Sequence, residues 1–224
     1  MDRIFVTDFD GTISRNDFYE LVAAKLLPAG TPDYWDQYRA GRITHFEALR
    51  NYFAAIRADE AAVWQVALEM DIDPQLAAGI SRLRAAGWRV VVASAGCRWY
   101  IERHLREAGV DVELHGNPGY FQVGRGLMMD LPHGSPFLSP THGIDKAAIV
   151  RHYQNAGCRV AFAGDGYPDE QAARRVPAEL RFARGALAEV LKRGGESFHP
   201  FSIWSEIVPI LVEADPPKDR GERR

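Results

Sequence analysis

Three short runs of apolar residues, at positions 3–7, 88–93 and 159–163, are rich in Val, Ile and Phe and do not alternate with polar residues. A strand with one wet face alternates. A strand apolar on both sides needs cover on both, which a parallel sheet sheathed in helices provides. Stretches with helical spacing lie between and after the runs. Leu76, Ile80 and Leu83 follow Asp73-Pro74, read as a cap and a first helical residue, and stop at Gly87. Ile101, Leu105 and Ala108 stop at Gly109, and Ala147, Val150 and Tyr153 stop at Gly157. Leu187, Val190 and Leu191 form another stripe, and Trp204, Ile207, Val208 and Leu211 the last. A weaker run at 180–183 adds a strand. The expected class is α/β, a Rossmann-like parallel sheet with helices on both faces.

Residues 17–72 break this rhythm, holding helical patterns and no strand. Thr44-His45-Phe46-Glu47 is a capping box with Phe46, Leu49, Phe53 and Ile56 on the face behind it, and Val63, Val66, Ala67 and Met70 make a second stripe. This block reads as a helical cap inserted into a core formed by residues 1–16 and 73–224. Residues 120–123 and 127–129 flank Gly124-Arg125-Gly126 and suggest a hairpin, and the polar residues 215–224 suggest a frayed tail. A chain of 224 residues accommodates one large domain with such an insertion. Its net charge of −3, with both signs mixed, offers no footprint for nucleic acid or an anionic membrane. No apolar stretch reaches membrane-spanning length, and the start MDRIFVTDFD is a strand leading to acids rather than a secretory signal. Cys97 and Cys158 make neither a disulfide framework nor a CxxC pair, so a cytoplasmic protein with reduced thiols is expected, as a monomer or homodimer.

The chemistry-bearing residues fall at strand ends, where open α/β sheets bind ligands. Asp8-Phe9-Asp10-Gly11-Thr12 follows the first run, and Gly11 allows the sharp turn that brings both carboxylates over one site. Ser94 and Ala95 close the second run, offering a hydroxyl and backbone amides at a helix start. Lys146 sits in the first turn of a helix, against the helix dipole, so its position asks for a reason. Asp165 and Asp169 end the third run, and acids from two strand ends suit a hard divalent cation. Taken singly, each is an ordinary turn, cap or surface residue. Their joint order is not.

That order resembles the haloacid dehalogenase superfamily of phosphatases over nearly the whole chain. Asp8 to Thr12 match the first motif, Ser94 the second, Lys146 the third, and Gly164-Asp165 with Asp169 the fourth. The resemblance implies a type 1 helical cap and hydrolysis of a small phosphorylated metabolite with Mg2+. It implies that Asp8 attacks phosphorus and that Asp10 protonates the leaving oxygen and then deprotonates water. Asp8, Asp10 through its carbonyl, and Asp165 would hold the metal, supported by Asp169. Ser94, the Gly11 and Ala95 amides and Lys146 would bind the phosphoryl oxygens, and Thr12 would orient Asp10. Within the phosphoserine-phosphatase-like branch, the chain is most similar to phosphatases of 2-hydroxy-3-keto-5-methylthiopentenyl-1-phosphate. That similarity rests on Asn16-Asp17 after the first motif, Asp130-Leu131-Pro132-His133, and residues 185–201. Residues 134–143 lack the cysteines that this group can carry, and Pro168 precedes Asp169 where a small or polar residue is commoner.

The cap supplies Asp17, Arg42, Arg50, Arg57, Tyr34, Trp35, Tyr38 and Phe46 as candidate contacts to the substrate, most of them better suited to packing in the cap or to solvation than to binding. Phosphoserine-specific relatives carry a glutamate where Asp17, a shorter acid, stands here. Cys97 reads as a small helix residue rather than a nucleophile, and His133 and His142 give a weak metal-ligand pattern. Two non-hydrolase readings compete: a phospho-acceptor switch, which is shorter and lacks the Asp-x-Asp-Gly-Thr run, and a phosphate binder, which has no use for Asp10.

Overall fold

The computed structural model describes residues 1–213, so the expected tail at 215–224 lies outside the described residues. The order is β1 (Arg3–Thr7), α1 (Phe18–Lys25), α2 (Tyr34–Arg39), α3 (His45–Ala55), α4 (Glu60–Leu68), α5 (Leu76–Ala85), β2 (Trp88–Cys97), α6 (Arg98–Glu107) and β3 (Glu113–Asn117). Then come β4 (Gly119–Gln122), β5 (Gly126–Met129), β6 (Leu138–Ser139), β7 (Gly143–Ile144), α7 (Lys146–Asn155) and β8 (Arg159–Gly164). Last are α8 (Glu170–Ala173), β9 (Arg181–Ala183), α9 (Gly185–Arg193), β10 (His199–Pro200) and α10 (Ile207–Glu213).

Six strands form one parallel sheet in the order β10-β9-β8-β1-β2-β3. Phe5 of β1 lies level with Val90 of β2 and Ala161 of β8. Strand alternation divides the core. Phe5, Val90 and Ala161 pack with α5, α6 and α10, while Ile4, Val6, Val91 and Phe162 pack with α7, α8 and α9. The expected doubly covered sheet is present. Among the described residues no helix is long and apolar enough to cross a membrane.

Three local expectations shift. The second strand continues past residue 93 to Cys97, because Cys97 still pairs with Asn117 of β3 after a register shift. Asp73 caps a turn rather than α5 itself: its Oδ1 accepts from the Gln75 amide at 2.8 Å and its Oδ2 from the Ser205 amide at 2.7 Å, and the helix starts after Pro74. Leu180 ends a 3-10 turn, and only Arg181–Ala183 form strand.

Helices α1 to α4 leave and rejoin the sheet through one neck, where Ser14 bridges Ile72 and the Arg15 and Asn16 amides donate to the Met70 carbonyl at 3.0 and 3.1 Å. The capping box forms as expected, with the Glu47 amide on Thr44 Oγ1 at 3.1 Å and the Thr44 amide on Glu47 Oε2 at 2.7 Å. Phe18, Phe53, Val63 and Met70 of the insert share one apolar cluster with Phe9 and Tyr100 of the sheet layer. The β4–β5 hairpin is antiparallel and leans on this insert, Gly126 lying against the Phe53 and Ile56 carbonyls.

Candidate active site

The exits of β1, β2 and β8 lie side by side and converge on one cleft, with β1 in the middle. The Asp8 amide still donates to the Ala163 carbonyl of β8 at 2.9 Å, which fixes the end of β1. Asp8 Oδ1 accepts from the Phe9 amide at 2.7 Å, and Asp8 Oδ2 pairs with Lys146 Nζ at 2.6 Å. Lys146 reaches Asp169 Oδ1 at the same 2.6 Å, and Asp169 Oδ2 accepts from the Asp165 and Gly166 amides at 3.1 and 3.0 Å. This is the reason for a lysine in the first turn of α7: two buried carboxylates outweigh the opposing helix dipole.

Carboxylate oxygens of Asp8, Asp165 and Asp169 lie within 4.8 Å of one another. Burial pushes the Asp8 carboxyl well above its ordinary range, the Asp169 charge adds to this, and Lys146 only partly opposes it. Burial, then Asp169, raises Asp165 to about 7. Burial alone would lower Lys146, but Asp169 and Asp8 more than reverse it and hold the ammonium charged. Three clustered carboxylates thus meet one ammonium, which pairs with Asp8 and Asp169 but not with Asp165, a site short of positive charge. An all-oxygen donor set with that deficit fits a hard divalent cation.

Asp10 stands apart from this cluster. The Tyr100 hydroxyl donates to both of its oxygens at 2.9 Å, the Phe18 amide donates to Oδ1 at 3.3 Å, and the Ser94 hydroxyl donates to Oδ2 at 3.3 Å. Burial raises the Asp10 carboxyl, against the hydrogen bond from Tyr100. Gly11 has φ +64°, and a Cβ there would collide with the Asp165 carboxylate, so both the turn and the close approach require glycine.

A cavity of about 440 Å3 opens over these groups. Asp8, Asp10, Ser94, Ala95, Lys146 and Asp165 form its floor, and Asp17, Tyr19, Trp35, Tyr38, Arg39, His45 and Phe53 its other wall. Asp8, Asp10, Ser94, Ala95, Lys146 and Asp165 thus meet at one cavity, and Asp169 lies behind them on Lys146. Three expectations are corrected. Thr12 Oγ1 donates to Asp165 Oδ1 at 2.9 Å, so it orients that acid rather than Asp10. The Gly11 amide is directed to Ser14 Oγ at 3.1 Å and not into the cleft. Ser94 and Ala95 lie within β2, and the helix starts only at Arg98, so no helix N-terminus begins at Ser94; its Oγ accepts the Gly96 amide at 2.9 Å.

On the insert, Asp17, Trp35 and Tyr38 reach the cavity, but Arg42, Arg50, Arg57, Tyr34 and Phe46 do not line it. Arg50 lies over the Phe46 ring at 5.7 Å, and Arg57 caps the Ala54 and Ile56 carbonyls. Sequence reading missed Tyr19, Arg39, His45 and Tyr100. For Tyr100 the signal is its place in the first turn of the helix that follows Ser94 and Gly96. Burial, then His142 and Lys146, lowers His45 to about 3, so its ring is neutral. The His142 ring lies against it, tilted, with centroids 5.2 Å apart, and His133 lies exposed. Burial pushes the Cys97 thiol up to about 12, which removes it as a nucleophile.

A family model of haloacid dehalogenase-like hydrolases matches residues 5–174, spanning all of the floor groups above. The chain belongs to that family. This hydrolase is similar in fold to a family member from Salmonella enterica serovar Typhi, at 16% identity and TM-score 0.71 over 94% of this chain and 70% of that one. It is similar to a substrate-bound phosphoserine phosphatase at 15% identity and TM-score 0.66, covering 93% and 98% of the two chains. A phosphoserine phosphatase from T. onnurineus gives 18% identity and TM-score 0.63 over 95% of each chain. No curated protein sequence matches this one.

Proposed function

We propose that this hydrolase is a Mg2+-dependent phosphomonoesterase that acts on a small metabolite ester through a phosphorylated Asp8. The observation that carries the reading is the pair of acids in opposite settings. Asp8 is clamped between Lys146 and the Phe9 amide inside a cation-deficient cluster, and Asp10 is held apart by Tyr100, Phe18 and Ser94. A nucleophile and a general acid need opposite protonation states at one pH: Lys146, together with a bound cation, would hold Asp8 ionised, and burial away from any ion pair would keep the proton on Asp10.

In the first step an Asp8 oxygen bonds to phosphorus as the bond from phosphorus to the ester oxygen breaks, and the proton on Asp10 passes to the departing alkoxide. In the second step Asp10, now ionised, takes a proton from water as that water attacks phosphorus and releases Asp8. Lys146 and the Ser94 hydroxyl lie where they can neutralise the phosphoryl oxygens. Asp8, the Asp10 carbonyl and Asp165 would hold Mg2+, with Asp169 behind them. The ion would supply charge neutralisation for the nucleophile and the phosphoryl group. Residues 17–72 act as a cap that closes over the ester and sets its identity.

The wall of that cap favours an ester with an uncharged alcohol part. Of the two cations lining the cavity, Lys146 is held by Asp8 and Asp169, and Arg39 is held by Asp36 with Asp33 at 3.9 Å. Both already face carboxylates of the protein, whereas Tyr19, Trp35, Tyr38 and Phe53 offer apolar area to an uncharged group. 2-Hydroxy-3-keto-5-methylthiopentenyl-1-phosphate fits this chemistry, and phosphoserine, the substrate named for the solved relatives, is the alternative. Phosphate release from p-nitrophenyl phosphate and from both metabolites, with Mg2+ and with excess chelator, tests the reading. Release only with Mg2+ is expected. Undiminished release in chelator, or none under any condition, overturns it.

A further inference from the structure

We propose that Tyr100 is a positioning residue that aims Asp10 at the leaving oxygen, an inference that rests on the acid–base reading of Asp10. Tyr100 is fully buried, and its hydroxyl sits 2.9 Å from both Asp10 oxygens, nearer than the other two donors at 3.3 Å. Its ring is gripped by Phe18 at 4.4 Å, Phe53 at 6.3 Å and Phe9 at 6.4 Å, so the hydroxyl is fixed from behind by apolar packing. Space is kept for the pair at Gly96, where a Cβ would collide with the Tyr100 hydroxyl and the Asp10 carboxylate. The phenol is the donor in both contacts, and the two Asp10 oxygens accept.

A carboxyl two residues beyond the nucleophile is otherwise free to turn about its side-chain bonds. One donor shared by both oxygens fixes the plane of the group, and Phe18, the first residue of α1, fixes its edge from the cap side. Transfer of the Asp10 proton to the ester oxygen as the bond to phosphorus breaks depends on that alignment. The hydroxyl itself neither gains nor loses a proton in the cycle.

A departing nitrophenolate is stable without a proton, whereas a departing alkoxide is not. Tyr100→Phe deletes one oxygen from an aromatic cluster and is expected to fold, which thermal melting checks. Tyr100→Met, flexible enough to fill the gap, carries the same test if Phe does not fold. The measurement is kcat/KM, which reports the first phosphoryl transfer and not the hydrolysis of phosphorylated Asp8. We expect a loss of about tenfold or more on an alkyl phosphate and under about threefold on p-nitrophenyl phosphate. Equal losses on both esters would make Tyr100 a structural residue and overturn the proposal, as would no loss on either. Wild-type protein inactive on both esters would remove the phosphatase reading, and this proposal with it.

Discussion

The tightest constraint at the residue scale is the sharing of Lys146 between Asp8 and Asp169, both at 2.6 Å. It explains why a buried lysine is tolerated: an isolated ammonium there would be costly, and two carboxylates compensate it. The same arrangement makes Asp8 the acid whose loss is felt in chemistry rather than in folding. Asp8→Asn keeps the shape and leaves Asp169 to hold the lysine, so the fold is expected to survive while kcat falls by about 10³-fold or more. Trapping the phosphorylated protein and locating the phosphoryl group checks this, and a label found on another residue sinks it. The floor acids were legible because Asp8, Asp10 and Asp165 stand where apolar runs end, with Gly11 next to Asp10 and Gly164 next to Asp165. Their partners were not. Thr12 bonds Asp165, which is 153 residues away in the chain, and no local pattern announces such a pair.

Among the elements, α2 and α3 supply most of the cleft wall that faces the acids, with Trp35, Tyr38, Arg39, His45, Leu49 and Phe53. Trp35 of α2 packs against Tyr19 at 4.6 Å, Tyr38 at 5.2 Å and His45 at 5.1 Å, so it is the centre of the aromatic wall. Trp35→Ala is expected to change the ranking of kcat/KM among phosphate esters several-fold while Asp8 is still phosphorylated. An unchanged ranking would move specificity to the loop around His142. Helix α3 is placed by its capping box and by the Phe46 amide, which donates to the Thr141 carbonyl at 2.8 Å. Thr44→Ala should cost about 1 kcal/mol in chemical denaturation, the usual value of an N-cap side chain. The capping box was readable because its bonds span three residues. The extension of β2 through Ser94 to Cys97 was not, because small residues of weak strand propensity are held extended there by pairing with β3.

For the whole molecule, the crowded acids tie stability to pH, and a cation bound among them would change that dependence. Asp165, raised to about 7 chiefly by burial and then by Asp169, keeps its proton in the folded state at pH values where the unfolded chain has lost it. Between its ordinary value of 3.8 and about 7 the folded state therefore binds more protons, and this group's contribution to stability falls as pH rises. Asp17, raised to about 8 by burial and then by Asp165, acts in the same direction. A cation bound to the ionised cluster removes the penalty. Mg2+ is thus expected to raise the melting temperature more at about pH 8 than at about pH 5.5, relative to chelator. A rise independent of pH would mean that the ion binds elsewhere.

The sequence by itself determined the α/β class, the helical insertion after the first strand, the acids and hydroxyl at the strand ends, and the lysine at a helix start. Those features follow from periodicity, capping and turn chemistry, which act over a few residues and are written locally. Only the tertiary structure decided which groups meet. It gave Asp165 to Thr12, the Gly11 amide to Ser14 and both Asp10 oxygens to Tyr100, and it brought Tyr19, Arg39 and His45 rather than Arg42, Arg50 and Arg57 to the cleft. The physical reason is that a short helix such as α2 or α3 has its facing set by what it packs against. Trp35 settles among Tyr19, Tyr38 and His45, and Arg50 lies over Phe46 outside the cavity, through contacts whose partners are distant in sequence or on another helix.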